Sequence, residues 1–375
     1  MVLHDVSIYG KKGFHHIWIR DGKIHAITQN RSDLHRAAGP RIETRGSILI
    51  PGFINSHDHL DFNLYPQLGN RIYDDYTQWG PAILEEHQEL VKQVRAIPHG
   101  LRIAWGQYRN LLNGFTTVVN HGRRLPVSND IVTVYQGSQS LHSAAFEKKW
   151  KWKLNNPLRL RQPVTMHAGE GTSDLAAGEV TELLRSNWLR RKIIPVHAVA
   201  MKSEQAVHFW GLVWCPASNY FLLGKTADIR GMMENTNIVF GTDSTLTGAW
   251  NVWTHFRQAK SHVTDDELLD MLTNKPASLW KMHDRGSVEV GKTADLLLLD
   301  RNKNIFDHDP SDLLAVIRNG SFALADESFF GNDECIKNAA LVQVGNRMKK
   351  VKGDLPALSS AISRYFTFDN PLVHA

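Results

Sequence analysis

With 375 residues, the chain is long enough to bury a large core, either as two domains or as one barrel with additions. Its formal charge of +5 is spread along the sequence apart from clusters such as Arg190-Arg191-Lys192 and Lys349-Lys350, which suits a solvated face and argues against a nucleic-acid groove. The two cysteines, Cys215 and Cys335, stand far apart and outside any Cys-x-x-Cys pattern; this fits a reducing compartment and excludes a cysteine zinc site, so a metal has to be held by histidine and carboxylate. No stretch approaches the roughly twenty apolar residues of a membrane span. Met1-Val2-Leu3-His4-Asp5 lacks a basic-then-apolar signal pattern. The expectation is a cytoplasmic protein with neither membrane nor nucleic-acid partner.

Residues 1–50 alternate apolar and polar in short runs. Ile17-Trp18-Ile19 and Ile24-His25-Ala26-Ile27 flank Asp21-Gly22, a hairpin signal. A matching pattern returns in Gly286–Asp300 and Leu314–Ala325, with another turn at Asn319-Gly320. One small β-sandwich domain built from both termini, residues 1–50 plus 286–330, is therefore expected, with residues 51–285 inserted as a second domain.

In the insert, short apolar strands alternate with amphipathic helical stretches, the pattern of parallel βα units. Strands are expected at Ile48–Ile54, Thr116–Asn120, Val164–His167, Ile193–His197, Leu212–Cys215 and Ile238–Thr242. Helices are expected at Ile83–Ala96, Gly100–Asn113, Glu179–Arg190, Ser203–Trp210, Trp250–Ser261 and Asp265–Thr273. The fold class is α/β, a distorted (β/α)8 TIM-like barrel. Between Gly122 and Gln162 two more units are needed at roughly thirty residues each, and the space is short by about one. With Ile131–Tyr135 as a strand and Ala144–Leu154 as a helix, the barrel is either seven-stranded or has a much-reduced fourth strand. The tail, residues 331–375, reads as helical at Asn338–Met348 and Ala357–Tyr365.

Functional residues of such barrels collect at the C-terminal ends of strands. His57 and His59, two residues apart past an apolar run, fall on one side of an extended backbone and can share a cation, with Asp58 turned the other way to brace the turn. His167 ends Pro163–Met166, His197 ends Ile193–Val196 and Asp243 ends Ile238–Thr242, while Glu170 lies in the loop after His167. An aspartate beside a cation stays ionised. Each feature alone is weak; four strand ends supplying them in this order form a joint signal.

The motifs PGFINSHDHL (51–60), GFTTVV (114–119), HAGE (167–170), VHAV (196–199), CPASN (215–219) and GTDS (241–244), with Gly286–Asp300, resemble the amidohydrolase superfamily, in its branch of metal-dependent deaminases and chlorohydrolase-like enzymes. The resemblance implies one divalent ion held by His57, His59, His167 and Asp243, with zinc expected and iron as the alternative. It gives Glu170 the proton shuttle, His197 the orienting of water and substrate, and Asp243 a share in proton transfer besides ligation. Such an ion lowers the pKa of its water from 15.7 to about 7. The implied reaction is deamination of a small amino-substituted N-heterocycle, and the implied assembly is a homodimer. The lysines before His167 lie in a charged amphipathic stretch, which favours one metal over a lysine-bridged pair. Hydrolysis of a cyclic amide, or removal of an alkylamine or halide, suits the same site, and a metal-binding protein with a degenerate pocket is the non-enzymatic alternative.

Substrate contacts are expected from His121, Gln139, His142, Asn219 and Trp79, each with a packing or loop-bracing role as competitor. Trp250 and Trp253 are further candidates for a stacking wall, Ser218 for a substrate contact, and Asp61 and Ser244 for bracing the ligands. Cys215 reads as a small buried residue rather than a nucleophile.

Overall fold

The computed structural model describes residues 1–128, 130–330, 336 and 338–366. Eight short parallel strands carry the inserted region: β1 (Phe53–Asp58), β2 (Phe115–Asn120), β3 (Thr133–Tyr135), β4 (Gln139–Leu141), β5 (Val164–Ala168), β6 (Ile193–His197), β7 (Leu212–Trp214) and β8 (Ile238–Phe240). β1 to β3 form one sheet and β4 to β8 another, each in sequence order. The two meet where Asp58 bridges Asp243, and the Thr242 and Asp243 amides both donate to the His57 carbonyl at 3.0 Å. Among the described residues the ladder stops between β3 and β4, so the ring of strands is not continuously hydrogen-bonded. β1, β2, β5 and β6 are buried at every position, so they show no alternation of covered and exposed faces.

Neither strand of the short segment is missing. β3 and β4 are three residues each, separated only by residues 136–138, and the connecting helix is what the segment lacks. The helix that follows, α4 (Trp150–Leu154), is shorter than the expected Ala144–Leu154. Three helices fill the long β1-to-β2 connection: α1 (Tyr76–Glu86), α2 (Gln88–Ala96) and α3 (His99–Leu112). After β5 comes α5 (Asp174–Arg185), capped by the Ser173 hydroxyl on the Ala176 amide, and after β7 comes α6 (Pro216–Leu223). Gly106 of α3 lies so close to the preceding loop that a Cβ there would stand 2.1 Å from the Leu60 carbonyl oxygen. This contact brings the α3 side chains under β1.

The two termini build one ten-stranded sheet rather than two separate ones. Val2–Ile8 joins its arms, pairing with Arg41–Glu43 over its first residues and with Ile48–Pro51 over its last. Both expected hairpins are present, with positive φ at Asp21 and Gly22 and at Asn319 and Gly320, as two-residue primed turns require. The strand Leu296–Leu299 is fully buried because each face has its own core: Leu296 and Leu298 pack with Leu49 among the terminal strands, while Leu297 and Leu299 pack with Ile50 against the parallel sheets. The expected strand Ile48–Ile54 divides at Gly52 into a terminal-sheet strand and β1.

Where a helix is expected over Asn338–Met348, the chain forms a hairpin of Ala339–Val344 and Arg347–Lys352 that extends the ten-stranded sheet. Val342, Val344, Lys349 and Val351 are the buried positions, a period of two, and Gly345-Asn346 makes the turn. Buried Lys349 donates to the Asp326 carboxylate and to the Ser311 and Leu313 carbonyls. The second tail helix is present at Leu355–Ser363. Cys335 and the remainder of the expected tail at 331–335, 337 and 367–375 lie outside the described residues. Among those described, no helix is long and apolar enough to cross a membrane.

Candidate metal centre

His57 in β1, His59 just after it, His167 in β5 and Asp243 just after β8 converge, one ligand atom from each lying within 4.8 Å of all the others. His167 Nε2 is 3.3 Å from His57 Nε2, and Asp243 Oδ1 is 3.5 Å from His57 Nε2 and 3.6 Å from His59 Nε2. Two ligands each about 2.0–2.1 Å from a tetrahedral ion stand roughly 3.3–3.4 Å apart, so these spacings suit one shared cation. Protonation agrees. Burial pushes the His57 imidazole down to about 4 and holds His167 well below its ordinary value, the neighbouring histidines adding to the effect at His167. Burial alone would raise Asp243, but the His57 hydrogen bond and the surrounding imidazoles hold it well below the usual carboxylate range. His167 Nδ1 donates to the His142 carbonyl at 2.8 Å, which leaves Nε2 as the bare acceptor facing the cluster.

The second Asp243 oxygen accepts from Ser218 Oγ at 2.8 Å and Thr247 Oγ1 at 2.7 Å. Asp58 points away from the cluster, as expected of a brace. Fully buried, it accepts from Asn63 at 2.7 Å, Asn110 at 2.9 Å, and Asn55 and Thr242 at 3.1 Å each, with the Arg109 guanidinium at 3.6 Å. This network ties β1, α3 and the turn after β8 into one block beneath the ligands. Asp243 and His197 both have left-handed backbone, φ +60° and +73°, a strain of about 1–3 kcal/mol each that surrounding contacts must hold.

Glu170 and His197 lie beside the cluster, His197 Nε2 being 3.6 Å from Glu170 Oε1. Burial raises the Glu170 carboxyl to about 7; the His197 ring opposes this, and Asp243, Glu179 and Asp75 reinforce it. His197 Nδ1 donates to Asn219 Oδ1 at 2.8 Å, and the Asn219 amide is itself oriented by donation to Thr226 at 3.1 Å. The remaining His197 nitrogen, Nε2, is buried without a hydrogen-bond partner.

Five of the six residues, all but His57, line a cavity of about 1050 Å³. His121, His142 and Trp79 also line it. Neither His121 nitrogen has a hydrogen-bond partner, and the ring stands 4.5 Å from that of His167. Trp79 presents its ring while its indole N–H donates to the Leu68 carbonyl at 2.7 Å. Asn219 is behind His197 rather than in the cavity wall. Gln139 is outside the wall as well: it starts β4, and its amide is engaged by Lys153 and Arg191. Trp253 is buried against Phe53 and Phe256, and Trp250 too is absent from the wall. Asp61 and Ser244 line the cavity, whereas Ser218 braces Asp243. Cys215 is buried, and burial holds its thiol well above its ordinary value.

Sequence reasoning missed Thr247, Asn55, Asn63, Arg109 and Asn110. The last two left a trace: with Gln107 they are polar positions in the second half of α3, where Trp105–Leu112 is buried without a break.

The arrangement is that of an α/β fold presenting a cluster able to hold a metal ion at the C-terminal ends of its parallel strands. Residues 190–323 match a family model described as the Amidohydrolase family. No curated protein matches the chain by sequence. Among solved structures, a zinc-bound adenosine deaminase from Xanthomonas campestris aligns with a TM-score of 0.70 at 17% identity, covering 97% of each chain. Aminofutalosine deaminase from Helicobacter pylori, in complex with methylthio-coformycin, aligns at 0.66 and 13% identity over 86% of this chain and 99% of that one. Guanine deaminase from C. acetobutylicum, with guanine bound, aligns at 0.60 and 16% over 86% and 99%. At such identities these likenesses establish the fold. The family match itself spans residues 190–323, from just before β6 to the strands that follow Leu296–Leu299.

Proposed function

We propose that the protein is a metal-dependent hydrolase of non-peptide carbon–nitrogen bonds that deaminates an amino-substituted N-heterocycle. His57, His59, His167 and Asp243 would hold one divalent ion, zinc in preference to iron for three imidazoles and a carboxylate. Bound there, the ion supplies a Lewis acid and a water activated at neutral pH. Glu170, about half protonated near pH 7, donates to a ring nitrogen and makes the adjacent carbon attackable. It regains a proton from the attacking water and passes it to the departing amino group, which leaves as ammonia. Held by Asn219 with Nε2 bare, His197 accepts a hydrogen bond from the attacking water or substrate and fixes its direction.

Glu170 is the observation that carries this reading, since a buried carboxyl raised to about 7 beside the cluster is superfluous in a purely structural metal site. The reading treats the two parallel sheets as one distorted (β/α)8 barrel and includes a small heterocyclic substrate, a cytoplasmic location and a homodimer. Zinc-loaded protein assayed with aminated purines, pyrimidines, pterins and triazines is expected to release ammonia without ring opening. Glu170→Gln should retain the metal and lose about a hundredfold or more in kcat. Ring opening would replace deamination with cyclic-amide hydrolysis, and undiminished ammonia release by the variant would remove Glu170 from the mechanism.

A further inference from the structure

The cavity is larger than a free nucleobase needs. Its 1050 Å³ stands at the top of the roughly 300–1,000 Å³ that accommodates drug-sized ligands, so a bare heterocycle at the metal would leave most of it to water. The wall also carries Arg95 of α2, Arg102 of α3 and Arg123 after β2. Among the described residues, none of the three is hydrogen-bonded or ion-paired to the metal cluster, Glu170 or His197.

These guanidiniums are poorly matched within the protein. Arg95 acts electrostatically on the Tyr65 hydroxyl and, like Arg123, makes no ion pair among the described residues. Arg102 is only 13% exposed; its Nη1 is 3.4 Å from the Asp61 carbonyl oxygen and 3.9 Å from its carboxylate, which His99 engages at 3.1 Å. Arg102 Nε is buried with no partner at all. Apart from the metal-site carboxylates, the acids of the wall are Asp61 and Glu147, and Glu147 is paired with Lys153. A buried donor without an acceptor is costly, and planar guanidiniums suit carboxylate and phosphate oxygens.

We propose that the substrate is an extended heterocycle whose substituent ends in an anion, a carboxylate or a phosphate, received by Arg95, Arg102 and Arg123. The inference rests on the deaminase reading and adds the substrate class. In such a complex the amino-bearing ring lies at the metal end, and the substituent runs between the apolar walls formed by Tyr65, Val91 and Leu125.

The test compares amino-heterocycles in matched sets: the free base, a neutral nucleoside, an N-carboxyalkyl derivative and a nucleoside 5′-phosphate. Ammonia release is measured for wild type, Arg102→Met and the exposed Arg123→Met, which is the safer variant for folding. The anionic members should exceed the neutral ones in kcat/KM, and each substitution should cost them about tenfold or more, chiefly in KM, with the neutral members unchanged. The preferred anionic arm separates carboxylate from phosphate. Equal rates for neutral and anionic members, unaffected by either substitution, overturn the anion site and leave deamination standing. Ammonia from none of them overturns deamination. Calorimetric binding of the same anionic and neutral compounds to wild type and Arg123→Met then decides the anion site alone: an arginine-dependent preference supports it, and none removes it.

Discussion

Replacing Arg109 by Met would leave Asp58 as a buried charge without its cation. The side chains are 1% and 0% exposed, and the ions are 3.6 Å apart. Breaking such a pair from one side costs about 3–5 kcal/mol, because the remaining charge stays desolvated. Arg109 also gives up its bonds to Asn63 at 2.8 Å and the Ala249 carbonyl at 2.9 Å, so the upper half of that range is expected. For a chain of this length the corresponding fall in Tm is about 5–6 °C. The Asp58→Asn, Arg109→Met double variant removes both charges and should recover part of the loss. The pH dependence has a definite sign. Burial holds the Asp58 carboxyl above its ordinary value even with Arg109 present, and removing the cation raises it further. A group whose folded pKa is raised costs nothing below its unfolded pKa and destabilises as pH climbs through the folded value. The penalty of Arg109→Met should therefore shrink as pH falls and grow toward neutrality. Denaturation followed by circular dichroism at fixed zinc measures both effects. A double variant no more stable than Arg109→Met, or a penalty independent of pH, would refute the stranded-charge account.

Asn219→Ala removes the acceptor of His197 Nδ1 and should lower activity about 10–100-fold at unchanged zinc content, read by pairing kinetics with metal analysis; loss of zinc instead would show that Asn219 supports the ligands. Gly52→Ala would put a Cβ 2.4 Å from Thr116 Cγ2 and should destabilise by about 1–3 kcal/mol in urea titration, with Thr116→Ala in the same chain recovering part of it; an unperturbed midpoint would show that the hinge can yield.

The metal cluster was legible because its residues stand at or just past the C-terminal ends of strands that read as apolar runs, and a strand end fixes both where a side chain lies and which way it faces. The short β3 and β4 were harder, since three residues carry too little period to separate them from loop, and the absent helix made a strand appear to be missing. In the hairpin Ala339–Lys352 the buried positions include Lys349, whose charge disguises an alternation that its pairing with Asp326 makes possible. Asn55 and Asn63 left no signal at all, because an asparagine looks alike in sequence whether it faces water or a buried aspartate. Trp250 and Trp253 misled for a related reason: aromatic content marks apolar surroundings, and a core offers those as readily as a pocket does.

Gly52 separates two structures by a single residue. Pro51 pairs with Leu296 in the terminal sheet, Phe53 opens β1, and the Gly52 amide donates to the Asp295 carbonyl at 2.8 Å. There is no linker to cut. A fragment trimmed to the parallel strands alone would lose Leu297 and Leu299 from its core, and one trimmed to the termini would expose Ile50 and those same leucines. Although its sheets look like two modules, the chain should unfold in one transition, and its architecture offers recombination no place to exchange one half for another.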